Sequence, residues 1–554
     1  MRRARWPGTA AALLAIGLAA GCTGDSPDSA AGNSTVGGSG NVTAVSEPVA
    51  TPGIVPAAQR WWDDDTFYEI FVRSFKDSDG DGIGDLRGII DQLDYLNDGD
   101  PATTNDLGVT GIWLMPVFPS PSYHGYDVTD YRDVNPQYGA LDDLKELLAQ
   151  ADARGISVIL DLPLNHTSDQ HPWFQSSMSQ EDGKSDWYEW IDGQSDETGP
   201  WGQQLWHPSG GRSYLGLFTP TMPDLNLRNP EVTAELEDVA RFWLDLGVDG
   251  FRLDAAQHLV EQDGEYANTP DNAEWLSSFN AFVKGVDPDA LLVGEVWSDS
   301  ITSSEYVPGQ SDLTFDFTSA DSAATLATIG DADRLLTAAE DDLDNYPEGQ
   351  VAVFTDNHDR NRNASLAFDD PDRLRLLATW LLTQPGVPFL YYGQEIGLPG
   401  VKPDEQIRTP MPWSDASPAA GFTTGEPWED LQGGWEATNV ATQQADPDSL
   451  WNHYARLIAA RNASPALRTG SFETLEVSDD AGFAYLRTLG DEQVIVLGNA
   501  GRAPIDGLTI TLPEESSGTW TSLLGQQIAQ PTGTAFTPVA DLAPWETAIV
   551  RLGG

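Results

Sequence analysis

The chain has 554 residues, more than one ordinary domain holds, and 40% of them are hydrophobic, which is typical of a globular protein with a large core. Its formal net charge is −57, from 29 basic and 86 acidic residues, so we expect no nucleic-acid partner and no anionic substrate. The single cysteine, Cys22, excludes an intrachain disulfide.

The first residues have the pattern of a signal peptide. A basic stretch at 2–5 precedes a short apolar run at 10–20, which is too short to span a bilayer comfortably. The run ends Leu-Ala-Ala-Gly-Cys at Cys22 and resembles a bacterial lipobox, which implies a signal peptide at 1–21 and a diacylglyceryl group on Cys22. The alternative is an ordinary secretory peptide with an accidental cysteine. We expect the protein at the extracellular face of the cell membrane, lipid-anchored, or secreted.

Residues 22–58 are rich in small residues and proline without periodicity, which predicts a flexible tether. Beyond them, short apolar runs alternate with amphipathic stretches. The predicted strands are 67–75, 111–117, 156–162, 250–254, 291–296, 313–317, 351–355 and 388–392, and the predicted helices include 141–153, 230–246, 273–286, 372–384 and 450–462. This α/β alternation favours a parallel (β/α)8 TIM barrel over 59–166 and 224–466; an open doubly wound sheet is the alternative.

Two segments depart from the alternation. Residues 167–223 hold many Trp, Gly, Ser and Pro and no clear crossover helix, and we interpret them as a small domain inserted after strand 3, over the C-terminal face of the barrel. Residues 467–554 contain short alternating runs separated by turn residues, at 471–477, 483–489, 493–499, 508–512 and 547–552. They predict a C-terminal antiparallel β-sandwich.

Acidic side chains follow several of the predicted barrel strands, where barrel enzymes place their catalytic groups. The strand ends read DLPLNH at 161–166, GFRLD at 250–254, GEVW at 294–297 and TDNHD at 355–359. A single strand-end acid is more often a cap or an ion-pair partner, but several acids, two histidines and one arginine on one rim suit glycoside cleavage. That reaction needs one carboxylate to attack or shield the anomeric carbon and a second, protonated, to donate to the leaving oxygen.

Asp254 and Glu295 fit those two roles. Arg252 lies two residues before Asp254, so both side chains point to the same side of the strand, and a permanent cation there keeps Asp254 ionised. Crowding by two other carboxylates should raise the pKa of Glu295, which makes it the better acid.

The segments DLPLNH, GFRLDAAQH (250–258), GEVW and FTDNHD (354–359) resemble the catalytic segments of glycoside hydrolase family 13, the α-amylase family. GIWLMPVF (111–118), MPDLN (222–226) and GVPFLYYGQEIG (386–397) resemble further family segments, and the likeness covers about 61–554. It implies that Asp254 is the nucleophile, that Glu295 is the general acid/base, and that Asp359 stabilises the distorted sugar.

The resemblance also implies a set of sugar-binding residues. Arg252, His166 and His358 would contact the sugar in the reaction subsite, and His258 would contact the leaving-group side. Tyr126 would stack on a sugar with Asp127 beside it. Arg362 would bind the sugar at the non-reducing end. A second calcium ion would be held by Asn165 and the carbonyl of His258.

A separate acidic loop spans 77–85. Acids at its positions 1, 3, 5 and 9 and a glycine at position 6 match the first part of a calcium loop, although position 12 is glycine rather than glutamate. Asp-Gly repeats also occur as plain turns. The loop resembles that of oligo-1,6-glucosidases, which implies a structural Ca²⁺ held by Asp77, Asp79, Asp81, Asp85 and the carbonyl of Ile83.

The family contains several activities, so the exact reaction depends on details around the acids. Ala255 after the nucleophile resembles α-amylases, whereas Arg362 and the acidic loop resemble oligo-1,6-glucosidases and trehalose synthases; Gln257 replaces a usual Lys. MPDLN resembles the intermediary amylase group between oligo-1,6-glucosidases and neopullulanases. We expect a monomeric α-amylase cleaving α-1,4 bonds in α-glucans and maltooligosaccharides. The alternatives are an exo-acting α-glucosidase or oligo-1,6-glucosidase, a trehalose synthase, and a non-catalytic glycan-binding lipoprotein, although none of the three acids is missing.

Overall fold

The computed structural model describes residues 60–515 and 518–553, all of which belong to the compact unit Thr51–Gly554. The predicted signal peptide and the whole predicted tether, including Cys22, lie outside the described residues. Within those residues, no helix has both the length and the apolarity needed to cross a membrane.

Eight parallel strands form a closed barrel, which confirms the predicted TIM barrel. Each strand pairs with the next in the chain, and the eighth pairs with the first. The strands are β1 (Phe67–Ile70), β2 (Gly111–Leu114), β3 (Ser157–Pro163), β4 (Gly250–Asp254), β5 (Leu291–Gly294), β6 (Leu313–Phe315), β7 (Val351–Val353) and β8 (Val387–Tyr391). Most are shorter than predicted, because the apolar runs continue past the last ladder pair; after β1, for example, the chain turns into a short helix at Val72–Phe75.

The helices around the barrel start and end at recognisable caps. The helix Pro230–Leu246 begins with Asn229, whose side chain accepts from the amide of Glu231 at 2.9 Å, and it ends at Gly247 with φ 99°. The α-helices are Val72–Phe75, Leu86–Asp91, Leu93–Leu96, Leu141–Asp152, Pro172–Ser179, Pro230–Leu246, Pro270–Val286, Ser300–Ser304, Phe317–Ile329, Ala332–Asn345, Asn363–Leu366, Pro371–Thr383, Asp404–Ile407, Val440–Ala445, Leu450–Asn462 and Pro465–Thr469. Short 3₁₀ turns lie at Trp61–Asp64, Ala256–His258 and Gln394–Ile396.

The segment after β3 contains more regular structure than its sequence pattern predicts. It holds the helix Pro172–Ser179 and a three-stranded antiparallel sheet of Trp190–Asp192, Arg212–Leu215 and Trp206–Ser209. These strands have three or four residues and are mostly half-exposed, so they carry no clear apolar alternation. Isolated bridges, such as His166 to Asp224, join the segment to the chain that leaves β3.

Antiparallel sheets follow the barrel, as predicted. A five-stranded sheet contains Ser471–Thr474, Gly482–Leu489, Glu492–Asn499, Thr547–Gly553 and Thr519–Ser522 in that order. Smaller sheets pair Glu476–Val477, Ile510–Thr511 and Ala535–Phe536, and Ile505–Asp506 with Asp541–Leu542. The five-stranded and three-stranded sheets share one buried apolar cluster that includes Ile495, Leu497, Ile510 and Trp520, which is the packing of a sandwich.

Candidate active site

Arg252, on β4, lies at the centre of the acidic rim and is 1% exposed. Its Nη1 lies 2.6 Å from Oδ1 of Asp254 and 2.8 Å from Oδ1 of Asp161, and its Nη2 lies 2.8 Å from Oε2 of Glu295. One guanidinium therefore holds the two predicted catalytic carboxylates and a third acid in a fixed arrangement.

The strand register explains this meeting. Asp161 on β3 is the ladder partner of Arg252, and Pro163 is that of Asp254. The alternate residues Phe251 and Leu253 belong to the apolar core, so Arg252 and Asp254 share the opposite side of β4, as the sequence predicts. Because the strands are parallel, their carboxyl ends bring these groups to one rim.

Glu295 directly follows β5, and the residue after the predicted nucleophile helps to hold it. The amide of Ala255 donates to Oε2 of Glu295 at 2.9 Å. Ala255 adopts a left-handed backbone conformation with φ 48°, which a β-branched residue would adopt only with strain. The small residue at position 255 thus supports the turn that orients Glu295.

A second network surrounds Asp359. His358 Nε2 lies 3.2 Å from Oδ2 of Asp359 and 2.8 Å from the Tyr126 hydroxyl, while its Nδ1 lies 2.6 Å from Oε1 of Glu69 on β1. Arg408 Nη2 donates to Oδ1 of Asp359 at 2.8 Å. Two basic groups therefore flank the third predicted carboxylate.

The two networks favour different charge states. Burial opposes a charge on His358, but Asp359 and Glu69 raise the pKa of His358 to about 10, so it is an imidazolium at neutral pH. Burial likewise acts to raise the pKa of Asp359, but the cations of His358 and Arg408 hold it well below its usual value. Asp359 is therefore an anion across the working pH range.

Burial raises the pKa of Glu295, the Arg252 contact opposes the rise, and the charges of Asp254 and Asp359 add to it. A raised pKa for Glu295 is the direction that the sequence predicted, although burial rather than the neighbouring carboxylates is its largest cause. Burial also raises the pKa of Asp254, and the Arg252 contact opposes that rise. The predicted effect of Arg252 on Asp254 is thus present, but burial outweighs it.

A cavity of about 630 Å³ opens beside these carboxylates. It brings together most of the predicted site: the residues of that set which line it are Asp254, Glu295, Asp359, Tyr126, His166 and His258. Arg252 and His358 lie behind this surface and hold it through the contacts above.

Two of the histidines that line the cavity, His166 and His258, are neutral. Burial lowers the pKa of His166 to about 4, and Nε2 of that side chain has no protein hydrogen-bond partner. Burial also lowers the pKa of His258, whose Nδ1 lies 2.6 Å from the carbonyl of Tyr266. Gln257 Nε2 lies 2.9 Å from His258 Nε2, so Nδ1 of His258 carries the proton and Nε2 accepts. The neutral His166 ring, with Nε2 lacking a protein partner, therefore suits a hydrogen bond with a sugar hydroxyl, whereas both nitrogens of His258 are engaged within the protein.

Two further predicted sugar-binding residues, Asp127 and Arg362, also do not line the cavity. Asp127 is 5% exposed, and its Oδ1 accepts from the hydroxyls of Ser120, at 2.5 Å, and Ser122. Arg362 is fully buried, where it donates to the carbonyls of Tyr392 at 2.6 Å and of Ile407 at 2.9 Å. Both side chains hydrogen-bond to neighbouring loop residues, and their roles in sugar binding stay predictions.

Other residues take part that the sequence reasoning did not assign. Arg408 and Asp404 line the cavity at the Asp359 end, as does His124. Glu69 anchors His358 from β1. A charged residue inside an otherwise apolar strand, as in Phe-Tyr-Glu-Ile at 67–70, was a usable signal for Glu69; the others lie in loops whose course the sequence does not reveal.

The acidic loop brings three of its four predicted acids together. Ligand atoms of Asp77, Asp79 and Asp85 lie within 4.8 Å of one another. Asp81 is outside this group, and its Oδ1 accepts from the amide of Ile83 at 2.8 Å. Three clustered carboxylates supply the hard oxygen ligands that calcium prefers, so the donor set fits such an ion.

The suggested second calcium site has a further acid beside it. Oδ1 of Asn165 and Oδ2 of Asp224, which directly follows the inserted segment, are both buried without a protein hydrogen-bond partner. Burial raises the pKa of Asp224 to about 7. The sequence analysis did not assign Asp224, and these unpartnered oxygens make it a candidate ligand beside Asn165.

Comparisons with known proteins agree with this geometry. Residues 69–470 match the family model for the α-amylase catalytic domain. The chain is 40% identical over 448 residues to Alpha-amylase 3 of Dictyoglomus thermophilum, covering 80% of this chain and 86% of that protein. It is 33% identical to the Oligo-1,6-glucosidase of Parageobacillus thermoglucosidasius, covering 79% and 90%.

The crystal structure of an α-amylase from H. orenii superposes with a TM-score of 0.79 at 40% identity, covering 88% of this chain and 99% of that one. The family model, these relatives and the closed barrel agree in their assignment. The protein is a glycoside hydrolase and belongs to glycoside hydrolase family 13, the α-amylase family.

Proposed function

We propose that this enzyme hydrolyses α-1,4-glucosidic bonds in starch and maltooligosaccharides with retention of configuration. The observation that carries the proposal is the single Arg252 guanidinium that contacts both Asp254 and Glu295 from behind the cavity surface. Retaining glycosidases need their two carboxyl groups roughly 5–5.5 Å apart, and one shared cation keeps two carboxyls close.

The contacts on each carboxyl group suggest which oxygen acts. Arg252 binds Oδ1 of Asp254, so Oδ2 is the oxygen available to attack the anomeric carbon. Arg252 and the Ala255 amide bind Oε2 of Glu295, so Oε1 carries the proton that passes to the leaving oxygen. Water then attacks the glycosyl ester, Glu295 takes a proton from that water, and the bond to Asp254 breaks.

Asp359 binds the reacting sugar and does not itself attack or protonate the glycosidic bond. As an anion beside the His358 imidazolium, it is placed to accept hydrogen bonds from sugar hydroxyls and to stabilise positive charge on the ring. Arg408 fixes its orientation through Oδ1.

The α-1,4 preference rests on Ala255 and on the relatives. The two similar proteins at 40% identity are both named α-amylases, while the oligo-1,6-glucosidase stands at 33%. The second candidate is an exo-acting α-glucosidase. Asp404 and Arg408 favour it, because these charged side chains at the Asp359 end of the cavity would restrict the number of sugar units bound beyond Asp359. The presence of Asp254, Glu295 and Asp359 together in the cavity argues against a non-catalytic, glycan-binding role.

Product analysis distinguishes these activities. We expect mixed maltooligosaccharides from soluble starch, separated by chromatography, and little glucose from isomaltose. Glucose alone from starch would mean an α-glucosidase, rapid isomaltose cleavage an oligo-1,6-glucosidase, and trehalose from maltose the isomerase.

Two substitutions separate the catalytic roles. Asp254→Asn should lower turnover of maltotetraose and of α-glucosyl fluoride alike, by roughly 10³-fold or more, because both need the nucleophile. Glu295→Gln should cost roughly 10²–10⁴-fold on maltotetraose but clearly less on α-glucosyl fluoride, since fluoride leaves without a proton. Initial rates, with circular dichroism as a control for folding, provide the test. Unchanged starch hydrolysis in either variant would refute the assignment.

We also propose a structural Ca²⁺ in the acidic loop. A chelator should then lower the melting temperature of the wild type, and Asp79→Asn should remove that sensitivity, because it deletes one of the three clustered acids. Asp98→Asn, in a different acidic turn, is the matched control and should keep it. A wild-type melting curve that ignores the chelator would count against the ion.

We propose further that Cys22 carries the lipid that attaches the enzyme to the cell surface. Radiolabelled palmitate should then enter the full chain expressed in a bacterial host, and Cys22→Ser should abolish labelling and release soluble enzyme of equal specific activity. Labelling that persists in Cys22→Ser would disprove the anchor.

A further inference from the structure

The guanidinium of Arg408 orients a catalytic acid, although Arg408 lies on no barrel strand. Its Nη2 donates to Oδ1 of Asp359 and its Nε donates to the carbonyl of His358, each at 2.8 Å. Arg408 directly follows the short helix Asp404–Ile407, in the chain after β8. The orientation of Asp359 therefore depends on contacts that fix the backbone of residue 408.

Ser74 supplies such contacts. It lies in the helix Val72–Phe75, which closely follows β1, and it is fully buried. Its hydroxyl donates to the carbonyl of Arg408, and its own carbonyl accepts from the amide of Met411 at 2.8 Å. One residue thus holds both ends of the segment 408–411 against the end of the first barrel strand.

The side chain of Trp428 orients the Ser74 hydroxyl. A hydroxyl group rotates to suit its partners, and Nε1 of Trp428 donates to Oγ of Ser74 at 3.0 Å. That contact occupies a lone pair and leaves the hydroxyl hydrogen to point at the Arg408 carbonyl. The indole is itself fixed, because it stacks on Tyr123 with centroids 5.3 Å apart and its ring centroid lies 5.2 Å from Cζ of Arg73.

The acidic loop at 77–85 holds the backbone of Trp428. The amide of Trp428 donates to the carbonyl of Gly82 at 2.9 Å. A Cβ at Gly82, whose φ is 94°, would lie 1.9 Å from the carbonyl oxygen of Glu426, so the loop is in direct contact with the segment before Trp428. Trp428 is therefore supported through both its side chain and its backbone.

We propose that Ser74 and Trp428 are positioning residues, which fix Arg408 and through it the carboxylate of Asp359; this proposal rests on the proposed function. Neither Ser74 nor Trp428 lines the cavity, so neither touches the sugar. Asp359 stabilises positive charge that develops on the sugar ring as the bond breaks. A loss of its orientation therefore raises the energy of the transition state more than that of the bound substrate.

Two substitutions interrupt this series of hydrogen bonds at different points. Ser74→Ala deletes the donor to the Arg408 carbonyl, and Trp428→Phe keeps an aromatic ring but deletes the indole N–H. In each variant, kcat on maltotetraose should fall roughly tenfold while KM changes by less than about twofold, because the misplaced carboxylate acts mainly in the transition state. Turnover of α-glucosyl fluoride should fall by the same factor, since that substrate also places its sugar beside Asp359.

Trp190→Phe is the matched control. Nε1 of Trp190 likewise donates to a serine hydroxyl, that of Ser177 at 3.0 Å, and Cζ of Arg212 lies 4.0 Å from its ring centroid. Trp190 lies outside the cavity lining, in the inserted segment. Its substitution should therefore lower the melting temperature about as much as Trp428→Phe does, but it should leave kcat as in the wild type.

A double-mutant cycle tests whether Ser74 acts through Arg408. Arg408→Ala removes the guanidinium that Ser74 is proposed to position, so adding Ser74→Ala should lower kcat by no more than about twofold further. Circular dichroism checks the folding of each variant. If Ser74→Ala does not fold, Trp428→Phe takes its place in the cycle.

The other outcomes contradict one proposal or the other. Wild-type kcat in the single variants, a rise in KM alone, an equal loss of kcat in Trp190→Phe, or full multiplication of the losses in the double variant would overturn the positioning role. A wild type that cleaves neither maltotetraose nor α-glucosyl fluoride would instead refute the proposed function.

Discussion

The active site depends on one buried cation. Arg252 is 1% exposed and contacts three acids, Asp161, Asp254 and Glu295. Removing one partner of such a buried pair usually costs about 3–5 kcal/mol, because a charge remains uncompensated. The guanidinium of Arg252 compensates the charge of all three buried acids at once. Its contacts therefore fix where the two reacting carboxyl groups lie.

The rest of the site divides around that cation. On one side, Asp359, His358 and Arg408 form an alternating set of charges that stays ionised at neutral pH. On the other, Trp201 and Trp297 present aromatic surface to the same cavity. A neutral sugar chain bound across the catalytic acids would contact charged hydrogen-bonding groups at one end of the cavity and aromatic rings at the other. A neutral substrate also agrees with the strongly negative net charge of the protein.

Sequence reasoning located the parts of this site that strand ends define. Asp254 and Glu295 were predictable because each terminates or follows a buried strand, and parallel strands bring such ends together. The placement of Asp127 and Arg362 outside the cavity lining was not predictable, because it depends on loop contacts: Asp127 accepts from Ser120 and Ser122, and Arg362 packs over the Tyr391 ring at 4.1 Å. Loop courses decide those contacts.

The fold shows the same division. The long amphipathic helix Pro230–Leu246 was predicted to the residue, since caps and a 3.6-residue period mark both ends, whereas Pro270–Val286 begins three residues before its predicted start. The inserted sheet was missed because its strands are too short to carry a period. Trp201, which that segment delivers to the cavity, therefore lay beyond the reach of pattern analysis.

Trapping the covalent intermediate tests the central claim most directly. The native enzyme is treated with 5-fluoro-α-glucosyl fluoride, whose glycosyl ester turns over slowly, then digested and mapped by mass spectrometry. The account predicts one fluoroglucosyl group per chain, attached to the carboxyl of Asp254. A label on Glu295 or Asp359, or hydrolysis of the reagent with inversion and no labelled peptide, would contradict it.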